Sequence, residues 1–110
     1  MQLIIKANRI LIASEAIDFR KAIDGLCILI AEKIEKNPTE GIYIFYNKAR
    51  NRIKIIGWHN NGFAMIYKRL EKGTFCIKVE NQLVEIDEKQ LGWLLSGLNW
   101  NLLTKWNHLE

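Results

Sequence analysis

The chain has 110 residues, of which 49% are hydrophobic and 25% charged, and a formal net charge of +4. This is the composition of one soluble globular domain that buries a single core. It has no apolar run near the roughly 18 residues that a membrane helix needs, and its opening Met1-Gln2-Leu3-Ile4-Ile5-Lys6 lacks the basic region and apolar stretch of a signal peptide. Cys27 and Cys76 fit no CxxC spacing and read as buried thiols in a reducing compartment, so a cytoplasmic protein is expected.

The charge is unevenly spread. Residues 1–41 carry six basic and six acidic side chains, residues 42–79 eight and one, and residues 80–110 two and five. The middle segment also holds seven of the eleven aromatic residues. Cations neutralise phosphates and aromatic faces stack on bases, so this segment has what a nucleic-acid surface needs. Basic strands with aromatics are also ordinary β-sheet chemistry, and both readings stand at this point.

Arg9–Ala13 is a short apolar run, predicted as a strand. Asp18 has the position of an N-cap, and behind it Ile23, Leu26, Cys27, Ile30, Ala31 and Ile34 recur at helical spacing, predicting a helix near 19–36. Asn37-Pro38 ends it, because a residue before proline avoids the α region. Ile42–Asn47 and Arg52–Trp58 are predicted strands. His59-Asn60-Asn61-Gly62 is a hairpin signal, and Phe63–Leu70 returns as a third strand. Two further strands are expected, Phe75–Val79 and Leu83–Ile86. Asp87-Glu88-Lys89-Gln90 has the form of a capping box ahead of Leu91, Leu94, Leu95 and Leu98, giving a helix near 88–97 that stops at Ser96-Gly97. Residues 101–110 read as a short helix or a loose tail, and Leu109-Glu110 as a cloning remnant.

The expected fold is α+β: a single domain over 1–110, with an antiparallel β-meander and an N-terminal and a C-terminal helix packed on one face. A hairpin turning at Asn60-Asn61 puts Ile53, Ile55, Ala64 and Ile66 on one face, assigned to the core. It puts Arg52, Lys54, Ile56, Trp58, Phe63, Met65, Tyr67 and Arg69 on the other, expected to be half-exposed. Lys68 falls on the aliphatic face, which must therefore reach solvent at one end.

Catalytic chemistry is hard to assemble from these residues. Most acids fall on predicted helix surfaces or caps. Asp18 and Glu71 sit in basic sequence and read as ion-pair partners of neighbouring arginines rather than metal ligands. No nucleophile elbow and no glycine-rich phosphate loop is present. No enzyme activity, metal or cofactor is expected.

Four stretches together resemble one family. Asp18-Phe19-Arg20-Lys21-Ala22-Ile23-Asp24-Gly25-Leu26 resembles a D-x-R-K-x-x-D-G-L opening, and Arg52–Trp58 with Gly62-Phe63 a basic strand ending in Trp before a hairpin. Tyr67-Lys68-Arg69-Leu70-Glu71-Lys72-Gly73-Thr74-Phe75 resembles Y-K-R-L-E-x-G-x-F, and Leu91–Trp100 resembles L-x-W-L-L-x-G-L-x-W. These are similar to the small TnpB-type accessory protein, the second open reading frame, of the bacterial insertion-sequence family sixty-six, which is distinct from the RNA-guided nuclease that shares the label. The resemblance implies a protein encoded beside a separate, larger transposase and needed for, or assisting, transposition. Two departures stand out. His59 follows Trp58 where the family has an acid, and Asn37 precedes Pro38 where the family tends to Asp.

The DNA-binding candidates are Arg52, Lys54, Tyr67, Lys68 and Arg69, joined by Arg20 and Lys21. The last two, expected in a first helical turn where cations oppose the helix dipole, either pair with Asp18 or Asp24 or hold a phosphate. Transposon DNA is one expected partner and the companion transposase the other. The alternative function is a module that docks on the transposase without touching DNA, with Trp58 and Trp100 as aromatic anchors.

Overall fold

The computed structural model describes residues 9–99. Five strands form one mixed sheet: β1 (Ile10–Ile12), β2 (Ile42–Tyr46), β3 (Arg52–His59), β4 (Gly62–Arg69) and β5 (Val84–Ile86), in the order β4-β3-β2-β1-β5. Two α-helices accompany it, α1 (Ile23–Leu29) and α2 (Glu88–Leu95). The architecture is α+β, as expected, and β2-β3-β4 is the antiparallel meander that their alternation implies.

The sheet differs from a pure meander on its other side. β1 enters between β2 and β5, parallel to β2 and antiparallel to β5. Parallel neighbours need a long crossover, and residues 13–41, with α1 in the middle, supply it. Phe75–Val79 makes no strand. It is an extended segment held through Phe75 N–H to Arg50 C=O (2.7 Å) and the Arg50 guanidinium to Ile77 C=O (2.8 Å). Phe75, Ile77 and Val79 are buried while Lys78 is exposed, so the alternation seen in the sequence reports packing without ladder hydrogen bonds.

The helices also differ from a one-sided arrangement. Tyr43, Ile44, Phe45 and Tyr46 are consecutive and all nearly inaccessible, so both faces of β2 are covered. On the face of Tyr43 and Lys54, the loops on either side of α1 are tied down: Lys54 Nζ donates to Phe19 and Lys21 carbonyls, and Tyr43 Oη donates to the Asn37 carbonyl. On the opposite face Lys68 Nζ donates to the Leu95 carbonyl at the end of α2. The helical layers therefore flank the sheet, with Leu26 and Ile30 buried from the first and Leu94 from the second.

Helix α1 is shorter than its hydrophobic stripe. It starts at Ile23, with no side-chain cap at Ala22, and continues as a π-helical turn over Ile30–Ile34. Glu35, in the left-handed region (φ 59°), ends it. Asp18 thus caps a separate turn and not the helix. Helix α2 follows its sequence closely. Gln90 N–H donates to Asp87 Oδ1 (2.8 Å) and Asp87 N–H to Gln90 Oε1 (2.9 Å), the reciprocal pair of a capping box. At its other end Gly97 (φ 80°) allows Leu98 N–H to reach Trp93 C=O and Gly97 N–H to reach Leu94 C=O, a Schellman stop.

Candidate nucleic-acid interface

The β3–β4 hairpin closes on Asn60-Asn61, with His59 opposite Gly62 and Asn60 at φ 55°, the left-handed conformation that two-residue hairpins need. That register makes Arg52 the cross-strand neighbour of Arg69, Lys54 of Tyr67, Ile56 of Met65 and Trp58 of Phe63. All eight share a face, as the spacing predicts. The cations lie at the end of the hairpin away from its turn.

Residues 18–21 fold over this end. Asp18 Oδ1 accepts from the Arg20 N–H (3.0 Å) and the Lys21 N–H reaches Asp18 C=O (3.2 Å), which fixes a tight turn. The Arg20 guanidinium grips the same carboxylate, with Nη2 to Oδ2 at 2.6 Å. These side-chain bonds, with the Arg20 N–H, hold the Asp18 carboxyl well below the usual carboxylate range, and the guanidinium is in turn pushed above its ordinary value. The turn directs two carbonyls at Lys54, whose Nζ lies 2.6 Å from Phe19 O and 2.7 Å from Lys21 O. The ammonium also lies 4.7 Å from the Phe19 ring centroid and 5.9 Å from that of Tyr67, and the two rings are 5.9 Å apart, tilted by 58°.

Three motif segments, distant in sequence, thereby meet: Asp18–Lys21, Arg52–Lys54 and Tyr67–Arg69. Lys54 is 7% accessible and committed to backbone carbonyls, so it is an internal strut and presents no charge to solvent. An isolated buried ammonium would be prohibitive. Two carbonyls and an aromatic face offset its desolvation. Phe19, which was not singled out in the sequence, is the ring that the first of these segments brings to Lys54 and Tyr67. Its signal was an aromatic inside the otherwise charged Asp18–Lys21 motif.

The remaining candidates separate. Arg52 is half-buried, takes its backbone bond to Asn47 Oδ1, and has its buried Nε without a hydrogen-bond partner. Arg69 is exposed and paired with Glu71 at 3.1 Å. Tyr67 is 48% accessible. Arg20 and Lys21 are exposed in the turn ahead of α1 and not in its first turn, where they were expected. Among the described residues no ion pair neutralises Arg52 or Lys21. Lys68 lies on the far face, bonded to Leu95 O. Trp58 is half-buried and packs edge-on against Phe63 at 5.1 Å, near the hairpin turn. Trp100 lies outside the described residues.

The acids behave as ion-pair partners, Asp18 with Arg20 and Glu71 with Arg69. Among the described residues no group of three or more His, Cys, Asp or Glu side chains is placed to hold a metal. Cys27 and Cys76 form no disulfide and are half-buried. Burial, with Asp24 nearby, pushes the Cys27 thiol up. No helix among the described residues is long and apolar enough to cross a membrane.

A mixed sheet flanked by helices, with a basic-aromatic corner built from three charged motifs, defines the class of structure. Comparison with known proteins supplies the family: residues 8–105 match the IS66 Orf2-like proteins, and the chain belongs to that transposition-associated family. It is an accessory family and not a known catalytic one. Two proteins of Sinorhizobium fredii (strain NBRC 101917 / NGR234) are similar: the uncharacterized protein y4jC, 30% identical over 94 residues, covering 84% of this chain and 80% of the relative, and the uncharacterized protein y4hO, 30% identical over 94 residues, covering 84% and 82%. No solved structure matches the chain.

Proposed function

We propose that this protein is a non-catalytic accessory factor for transposition of an insertion sequence, and that it binds element DNA through the corner formed by Arg52, Arg69, Tyr67, Arg20 and Lys21. The observation that carries this reading is the direct cross-strand pairing of Arg52 with Arg69. Like charges opposite one another on a sheet destabilise it. One of the two has a buried nitrogen with no partner, and among the described residues the only acid paired with either is Glu71 on Arg69. An anion such as a phosphate on the exposed side of the pair would relieve the repulsion. Lys54 holds the Phe19–Lys21 turn in place beneath the site. Lys68 is spent on α2 and contributes little.

The test is fluorescence polarisation with labelled element-end duplex across a salt series. Engagement of about three phosphates gives a slope of log affinity against log salt near −3. The Arg52→Gln/Arg69→Gln double variant should flatten it by about two units, while Lys68→Gln leaves it in place. An unchanged slope in the double variant would place the contact on another face. Absence of binding at low salt, with capture of the companion transposase that is lost on Trp58→Ala, would favour the docking module.

A further inference from the structure

The cations of the corner are on the sheet and its turns; among the described residues the helical segments carry only Lys33, in the π-helical turn beside Glu32, and Lys89. Between them α1 and α2 carry the single cation Lys89, balanced by Asp24 and Glu88. A major groove is entered by a helix or by a two-stranded ribbon. Among the described residues no helix has the basic face for it. The β3–β4 ribbon has a turn free of Lys and Arg, His59-Asn60-Asn61-Gly62, at the tip and Arg52 and Arg69 at the opposite end. The phosphate-binding groups would be left behind if the ribbon entered a groove.

The corner is built differently. Tyr67 has nearly half its surface open, and Phe19 lies against it. Behind both rings, Lys54 locks the turn that carries Phe19 through two short hydrogen bonds. The aromatic platform is thus held rigid before any ligand arrives, which lowers the ordering cost of stacking. Arg69 lies two residues along β4 from Tyr67 on the same face, about 6.8 Å away, and Arg52 is beside it. A planar face next to two guanidinium groups at one strand repeat suits a base stacked on Tyr67 with its adjoining phosphates on Arg52 and Arg69. In a duplex the bases are paired and stacked on each other, and their faces are closed to a tyrosine.

From this geometry we infer that the corner recognises single-stranded or unpaired DNA in preference to duplex, with Tyr67 as the stacking platform and Phe19 as its support. This inference rests on the proposed DNA-binding function and narrows its substrate.

Polarisation titrations with a labelled oligothymidylate and with a duplex of equal length, in the same salt, test it. The expected result is tighter binding of the single strand, a loss of about ten- to hundredfold in that affinity for Tyr67→Ala, and little change for Tyr67→Phe, which keeps the ring. Phe19→Leu is a second variant that loosens the platform without opening the strand; it should weaken single-strand binding and spare duplex binding. Equal affinity for both forms, with Tyr67→Ala inert and the arginine substitutions weakening both, overturns the inference and leaves the proposed function standing. Binding of neither form overturns both.

Discussion

Replacing Lys54 by Met separates a structural strut from a phosphate contact. Methionine keeps the apolar stem and removes the ammonium. The loss comprises two charge-assisted hydrogen bonds, to Phe19 O at 2.6 Å and Lys21 O at 2.7 Å, and a cation–π contact at 4.7 Å. Bonds to a charged group contribute about 1.5–3 kcal/mol each, and the ring about 0.5–2 kcal/mol. One effect offsets this: the variant no longer desolvates a charge. A net loss of roughly 2–3 kcal/mol remains. For a domain of this size that lowers Tm by roughly 8–20 °C. Urea and thermal unfolding followed by tryptophan fluorescence measure it, with the DNA salt slope recorded in parallel. Stability within about 0.5 kcal/mol of the parent protein, together with a slope about one unit shallower, would refute the strut and return Lys54 to the phosphate contacts.

Other outcomes follow from the same contacts. Asp87→Ala removes one half of the reciprocal pair that starts α2 and should cost about 1 kcal/mol in urea unfolding. Phe75→Ala empties a site that is 2% accessible and should cost about 3–5 kcal/mol, although residue 75 belongs to no strand; a cost below about 1 kcal/mol would mean the 75–79 segment is not part of the core. The Asp18 carboxyl has its folded pKa depressed by Arg20, so its contribution is present above the ordinary carboxylate value and is lost as pH falls through the folded value. The difference in urea midpoint between the parent protein and Asp18→Asn should accordingly shrink from about pH 4 downward, and a difference that grows on acidification would contradict the pairing with Arg20.

Local patterns fixed several features in advance. The hairpin register follows from Asn60-Asn61 and strict alternation, the α2 boundaries from Asp87, Gln90 and Gly97, and the family from four motifs in order. Each depends on residues within a few positions of one another, where backbone preference and side-chain period act directly. The unbroken apolar run Ile42–Tyr46 also carried a sign of burial on both sides, since a half-exposed strand alternates. Tertiary structure alone decided the rest. Ile10–Ile12 is too short to declare a partner, and its place between β2 and β5 depends on which edge is open when the chain collapses. Phe75–Val79 alternates like a strand because one side packs on the core, whether or not its backbone finds a ladder. Above all, the sequence put Lys54 with Arg52 and Arg69 on one face, and nothing local revealed that the Asp18 turn covers it. Burial of a charge is a property of what folds over it, and here that is a segment more than thirty residues away.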